Sequence, residues 1–153
     1  MSKESICIEG IKIKQLNQIG DKRGTILHMI RCDEENSINI GECYHSEIFP
    51  KEIKAWKKHR VQIQNIAVPV GKIKLVMYDP RENSKTFGAL QEIQLGRPDY
   101  YFRVTIPPNI WYGFMCISQE LALITNCVNI PHDPKECDTI NHEDKFISYI
   151  WED

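Results

Sequence analysis

An all-β domain, a sandwich or a barrel, is predicted by three features of this sequence. Short segments alternate apolar and polar residues, turn-forming clusters separate them, and no window keeps helical periodicity over three turns. Alternation with a period of two puts the apolar side chains on one face of a strand, as a sheet packed on a second sheet requires. In chain order, Ile6-Cys7-Ile8 and Ile11-Lys12-Ile13-Lys14 alternate in this way. Thr25 to Ile30, Ile38 to Ile48 and Ile53 to Trp56 are rich in β-formers. So are Val61 to Val70, Lys72 to Tyr78, Leu90 to Leu95, Tyr101 to Ile106, Trp111 to Ile117 and Leu121 to Ile130. Gly20-Asp21-Lys22-Arg23-Gly24 reads as a turn and Val70-Gly71-Lys72 as the close of a hairpin. Further turns are Asp79 to Ser84 and Gly96-Arg97-Pro98-Asp99. Mixed sheets are expected to pack their apolar faces inward, with Trp56, Trp111 and Phe114 near a cavity, and a barrel of this size holds a small ligand at its mouth.

The chain of 153 residues is 42% hydrophobic and 26% charged, which suits one soluble globular domain over residues 1–153 and excludes a disordered chain. Its net charge of −2 excludes the basic footprint of a nucleic-acid binder. A local basic cluster, Lys51, Lys54, Lys57, Lys58, His59 and Arg60, is either a solvated strand edge or an anion contact. No apolar run reaches the ~18 residues of a membrane span, and Met1 to Gly10 lacks a signal-peptide core, so a cytoplasmic protein is expected. Cys7, Cys32, Cys43, Cys116, Cys127 and Cys137 form no Cys-x-x-Cys pair and are expected as free thiols. Met29, Met77 and Met115 read as core filling. Dinucleotide, P-loop and nucleophile-elbow motifs have no match.

Several segments in fixed order carry a resemblance. They are Gly20 to Gly24, Gly71-Lys72-Ile73, Asp79-Pro80-Arg81 with Ser84-Lys85-Thr86-Phe87-Gly88, Ile106-Pro107-Pro108, Gly113-Phe114 and Tyr149-Ile150-Trp151. From about Gly20 to Trp151 the chain resembles the cofactor-free cupins typified by dTDP-4-dehydrorhamnose 3,5-epimerase. A shorter branch is more similar still, through Lys54-Ala55-Trp56 to His59, Trp111 to Phe114, and Asn126-Cys127 leading to Ile130-Pro131-His132-Asp133-Pro134. The resemblance implies a single cupin jelly roll (a double-stranded β-helix), a homodimer, no cofactor, and a nucleotide-linked 4-keto-6-deoxy sugar as substrate in surface polysaccharide synthesis.

Epimerisation beside a ketone needs a base for the acidified C–H, an acid on the opposite face and donors to the enolate oxygen. In the family a His oriented by an Asp is the base and a Tyr the acid. The base position falls on Lys57 here, and His59 shares its strand face two residues on. Counted back from Trp151, the carboxylate falls on Asp144, so a neutral His59 held by Asp144 is the expected base and Lys57 the expected enolate or phosphate contact. His59 as a surface histidine beside lysines is the other reading. The family His before Gly-Phe is Tyr112 here, which either donates to a keto oxygen or caps a buried aromatic. The family acid maps to Thr125, too weak an acid for that task. Arg23 matches an arginine near the nucleotide sugar or stabilises its turn. Gln62 and Asn65 either line the cavity mouth or form a structural polar pair, and Asp79 with Arg81 reads as a turn-organising ion pair. The positions that would hold a cupin metal are Lys57, His59, Gln64 and Tyr112, one good ligand of four, so no metal is expected. Two further readings are a catalytically inactive cupin that binds a sugar nucleotide or partner protein, and a purely structural dimer.

Overall fold

The computed structural model describes residues 7–35 and 39–152; the expected strands that open at Ile6 and Ile38 begin outside them. Twelve strands follow in order: β1 (Lys12–Gln15), β2 (Gln18–Asp21), β3 (Gly24–Leu27), β4 (Glu42–Ile48), β5 (Ile53–His59), β6 (Gln64–Val70), β7 (Lys72–Tyr78), β8 (Leu90–Gly96), β9 (Phe102–Ile106), β10 (Trp111–Cys116), β11 (Ala122–Val128) and β12 (Cys137–Thr139). One sheet has the order β1-β9-β6-β11-β4, the second β12-β5-β10-β7-β8, and β2-β3 form a separate hairpin. This is the jelly roll implied above. Every ladder between these strands is antiparallel, where mixed sheets were expected.

The sheets face each other across a core that includes Ile48, Ile66, Val68, Ile73, Leu75, Met77, Leu95, Val104, Ile106, Phe114 and Ile124. Period-two alternation produces this layer: on β7, Ile73, Leu75 and Met77 share the face turned to the other sheet. The opposite face of the second sheet carries its own cluster, in which Trp56, Val76, Trp111 and Ile147 pack with Tyr149 and Trp151 of the C-terminal segment. Trp56 meets Trp151 with ring centroids 5.1 Å apart. The expected hairpin at Gly71 is instead a crossing between sheets, since β6 pairs with β9 and β11 while β7 pairs with β8 and β10. Gly71 has φ 71°, and a Cβ there would sit 2.6 Å from the Cα of Ala122. Only glycine fits that close approach at that backbone angle.

Asp79 organises the β7–β8 connection. Its fully buried carboxylate accepts from Arg81 Nε at 2.8 Å, Arg81 Nη2 at 2.9 Å, Ser84 Oγ at 2.6 Å and Thr86 Oγ1 at 2.7 Å. Burial alone would raise its pKa; these donors outweigh burial and hold it below the usual carboxylate range. Arg81 Nη2 also donates to the carbonyl of Glu9, so the ion pair ties the N-terminal segment to this loop. All six cysteines are free thiols, with Cys43 and Cys127 Sγ atoms 3.0 Å apart across β4 and β11. Among the described residues, no helix is long and apolar enough to cross a membrane.

Candidate active site

A cavity of 320 Å³ opens between the sheets. From the first sheet it is lined by Tyr44, Ser46, Ile66, Ile124 and Asn126, and from the second by Lys54 to Lys57, Tyr112 and Phe114. Phe114 and Trp56 border it as expected, whereas Trp111 faces the outer cluster. β10 and β5 close its base: Lys57 pairs with Tyr112, and a Cβ at Gly113 would lie 2.3 Å from that of Ala55. Glycine at 113 lets the two strands approach and so sets Tyr112 beside the β5 side chains.

Behind the Tyr112 hydroxyl runs a buried hydrogen-bonded chain. Tyr112 Oη lies 3.2 Å from His59 Nε2, and His59 Nδ1 is hydrogen-bonded to Glu136 Oε1. Glu136 follows Asp133, which caps the short 3₁₀ turn Pro134–Glu136. The next residue, Cys137, pairs with His59 in the β12–β5 ladder, and that register carries Glu136 to the imidazole. The second carboxylate oxygen of Glu136 accepts the backbone N–H groups of Arg60, Val61 and Gln62, each at 3.1 Å. His59 is 4% exposed.

Burial pushes the His59 pKa down, and the facing charges of Lys57 and His132 push the same way. The Glu136 hydrogen bond and charge oppose them, and the net direction is downward. Burial would raise Glu136, but the bonds from His59, Val61 and Gln62 hold it low. A neutral imidazole beside an ionised carboxylate follows, with Nδ1–H donating to Glu136 and Nε2 accepting from Tyr112. Burial also raises the Tyr112 phenol well above its ordinary value, so it stays protonated at rest. This is a pair poised to take a proton, with the phenol as its face on the cavity.

The two depressed pKa values have a consequence for stability. The unfolded chain binds these protons more readily than the native one, so the contribution of His59 is complete above its ordinary 6.5 and is lost as pH falls toward its lower folded value. Glu136 adds a further loss below its ordinary 4.5. The Tm of the protein is therefore expected to fall between pH 7 and 5, and to fall less in a His59→Gln variant. Equal slopes in thermal melts of the two proteins would show that His59 is not held neutral.

Several expected residues lie elsewhere. Asp144 is exposed and accepts from the Phe146 N–H at 2.8 Å; the carboxylate on His59 is Glu136. The reason is strand parity. The segment before Trp151 packs on the Trp56 face of β5, and His59 points to the other face. Thr125 turns away from the cavity and bonds His45 Nδ1 at 3.0 Å, while its neighbour Asn126 turns inward. Asn65 accepts from Thr105 Oγ1 at 2.7 Å and donates to the Cys127 carbonyl, a structural bond set. Gln62 donates to the Ile130 carbonyl and accepts from Gln64 Nε2, both at 2.8 Å. Neither lines the cavity. Arg23 forks onto Asp21 at the exposed tip of the β2–β3 hairpin, the turn-stabilising alternative. Lys57 does line the cavity. Sequence reasoning missed Glu136 and Tyr44, which no local motif marks; it named Gln64 only as a metal position without a good ligand and Asn126 only within a segment that carries the resemblance. Among the described residues, no group of three His, Cys, Asp or Glu could hold a metal ion.

The family described as dTDP-4-dehydrorhamnose 3,5-epimerase matches residues 5–153. A probable low-salt glycan biosynthesis epimerase, Agl13 of Haloferax volcanii, is 31% identical over 78% of this chain and 77% of its own length. The spore coat polysaccharide biosynthesis protein SpsL of Bacillus subtilis is 29% identical over 94% of this chain and 96% of its own. Among solved structures, a dTDP sugar isomerase from Desulfovibrio desulfuricans superposes with a TM-score of 0.92 at 43% identity, covering 94% of this chain and 92% of that one.

Proposed function

This chain belongs to the dTDP-4-dehydrorhamnose 3,5-epimerase family, and we propose that it inverts a carbon beside the ketone of a nucleotide-linked 4-keto-6-deoxy sugar destined for surface polysaccharide. One observation carries the reading: the Glu136–His59–Tyr112 chain ends on the wall of a cavity between the sheets. Tyr112 accepts the proton from the carbon next to the ketone as its own hydroxyl proton passes to His59 Nε2. Glu136 offsets the charge that forms on the imidazole. The Lys57 ammonium, on the same wall, stabilises the enolate oxygen. A proton delivered from the opposite wall completes the inversion. The steps need no metal or cofactor, since enolisation exchanges protons only. The same reading takes residues 1–153 as one domain, acting as a cytoplasmic homodimer.

The test is incubation with dTDP-4-keto-6-deoxyglucose in D₂O, followed by NMR of the sugar carbons. Deuterium entering beside the ketone with inversion is the expected result. Thermal stabilisation by the sugar nucleotide with no exchange would replace this reading with that of an inactive binding cupin.

A further inference from the structure

The cavity holds a second phenol with a different electrostatic setting. Tyr44 stands on β4 of the first sheet, directly opposite Asn126 in the β4–β11 ladder. It lines the cavity from one sheet while Tyr112 lines it from the other. Asn126 Nδ2 donates to Tyr44 Oη at 2.9 Å and to Gln64 Oε1 at 2.7 Å, so both amide hydrogens are committed. The sense of that amide is set by the Asn65 N–H, which donates to Asn126 Oδ1 at 3.1 Å. Gln64 is held in turn, because its Nε2 donates to Gln62 Oε1. Tyr44 is therefore an acceptor in its bond to Asn126, and its own hydrogen has no acceptor among the described residues. Tyr112 is the reverse case, with His59 Nε2 at 3.2 Å and Gln64 Oε1 at 3.4 Å both within reach of its hydrogen.

Inversion at carbon requires two proton-carrying groups on opposite faces of a flat enolate. We propose that Tyr44 is the acid that protonates the enolate on the face away from Tyr112. Thr125, the position to which the family acid maps, points out of the cavity, and the next strand of the same sheet supplies a phenol. In the step, the enolate carbon takes the Tyr44 hydroxyl proton, the O–H bond breaks, and its electron pair stays on the phenolate oxygen, which Asn126 Nδ2 already faces. The proton taken at Tyr112 leaves through His59, and Tyr44 regains one from water, so the cycle is balanced. Tyr44 is 38% exposed, open enough for that exchange, against 6% for Tyr112. Burial raises the Tyr44 pKa and the Asn126 bond opposes it, so the resting group is the protonated phenol a donor must be.

The inference rests on the enolisation proposed above, and its test separates the two. Tyr44→Phe removes one hydroxyl from an edge strand, and its fold is checked by an unchanged Tm. In D₂O with the same sugar nucleotide, the variant is expected to form inverted product about 10²- to 10⁴-fold more slowly. It should still exchange deuterium into substrate of retained configuration, because the base side is intact. Inversion at the wild-type rate, or loss of exchange together with inversion in a folded variant, would overturn the assignment. Wild-type protein that shows no exchange at all would instead sink the enolisation itself.

Discussion

Replacing His59 is expected to remove about three orders of magnitude from the rate of solvent deuterium exchange, within the range of about 10²- to 10⁴-fold that a positioned acid–base group supplies. The magnitude follows from the route the proton takes. Tyr112 is buried and its pKa is raised, so it cannot accept a proton from carbon unless its own is accepted by His59 Nε2, 3.2 Å away. His59→Ala also leaves the Glu136 carboxylate facing an empty space, and such a variant unfolds for structural reasons as readily as it loses function. His59→Gln separates the two effects. It keeps a buried amide able to donate and accept, yet cannot take up a proton. A folded His59→Gln protein is expected to bind the sugar nucleotide, shown by a raised Tm, and to lack exchange. The pH–rate profile adds a readout that packing alone would not move. Exchange by the native protein should decline on the acid side below the ordinary histidine value of 6.5, in keeping with its lowered pKa. Wild-type exchange in folded His59→Gln would take His59 out of the reaction.

Asp79→Ala is expected to cost about 3–5 kcal/mol of stability, because it removes a fully buried acceptor shared by a half-buried guanidinium and two hydroxyls, and each buried donor left without a partner costs about 1–3 kcal/mol. The variant leaves the Arg81 guanidinium and the Ser84 and Thr86 hydroxyls without their shared acceptor. For a domain of this size the Tm should drop on the order of 10 °C. The carboxylate is fully buried, so water cannot take its place without opening the loop. Asp79 does not line the cavity. Exchange per folded molecule, measured well below the new Tm, should therefore stay at the wild-type level. A Tm within 2–3 °C of wild type, about the shift for 1 kcal/mol, would show that the loop holds its shape without this hub.

Much of the fold is legible in the residues. Alternation marks the start of β7 and all of β9 because their apolar side chains meet at the sheet–sheet core, β10 reads as a continuous apolar run because both its faces are covered, and the Asp79-Pro80-Arg81 pair is local, two residues apart. Other elements leave a fainter trace. β2 and β3 are mostly exposed, so no buried face imposes a pattern on β2, and the cluster Gly20 to Gly24 reads as a turn alone when it is the tip of a hairpin. β12 is three residues long and sits at a sheet edge. Too few positions remain there for a period of two to show.

The sequence by itself determined the strand-rich pattern, the family, a lysine at the base position with a histidine two residues on, and a tyrosine at the second motif. The tertiary structure alone decided which groups meet. His59 and Glu136 are 77 positions apart in the chain, and they touch because β12 pairs with β5 in one register. Slipping that ladder by a single residue would turn a different side chain toward the imidazole. Thr125 and Asn126 differ by one position, yet one faces His45 and the other the cavity. The β11–β6 register shifts between Leu123 and Thr125, so parity on β11 belongs to the pairing. Side-chain direction on a strand is inherited from its partner strands, and those are chosen by contacts distant in sequence.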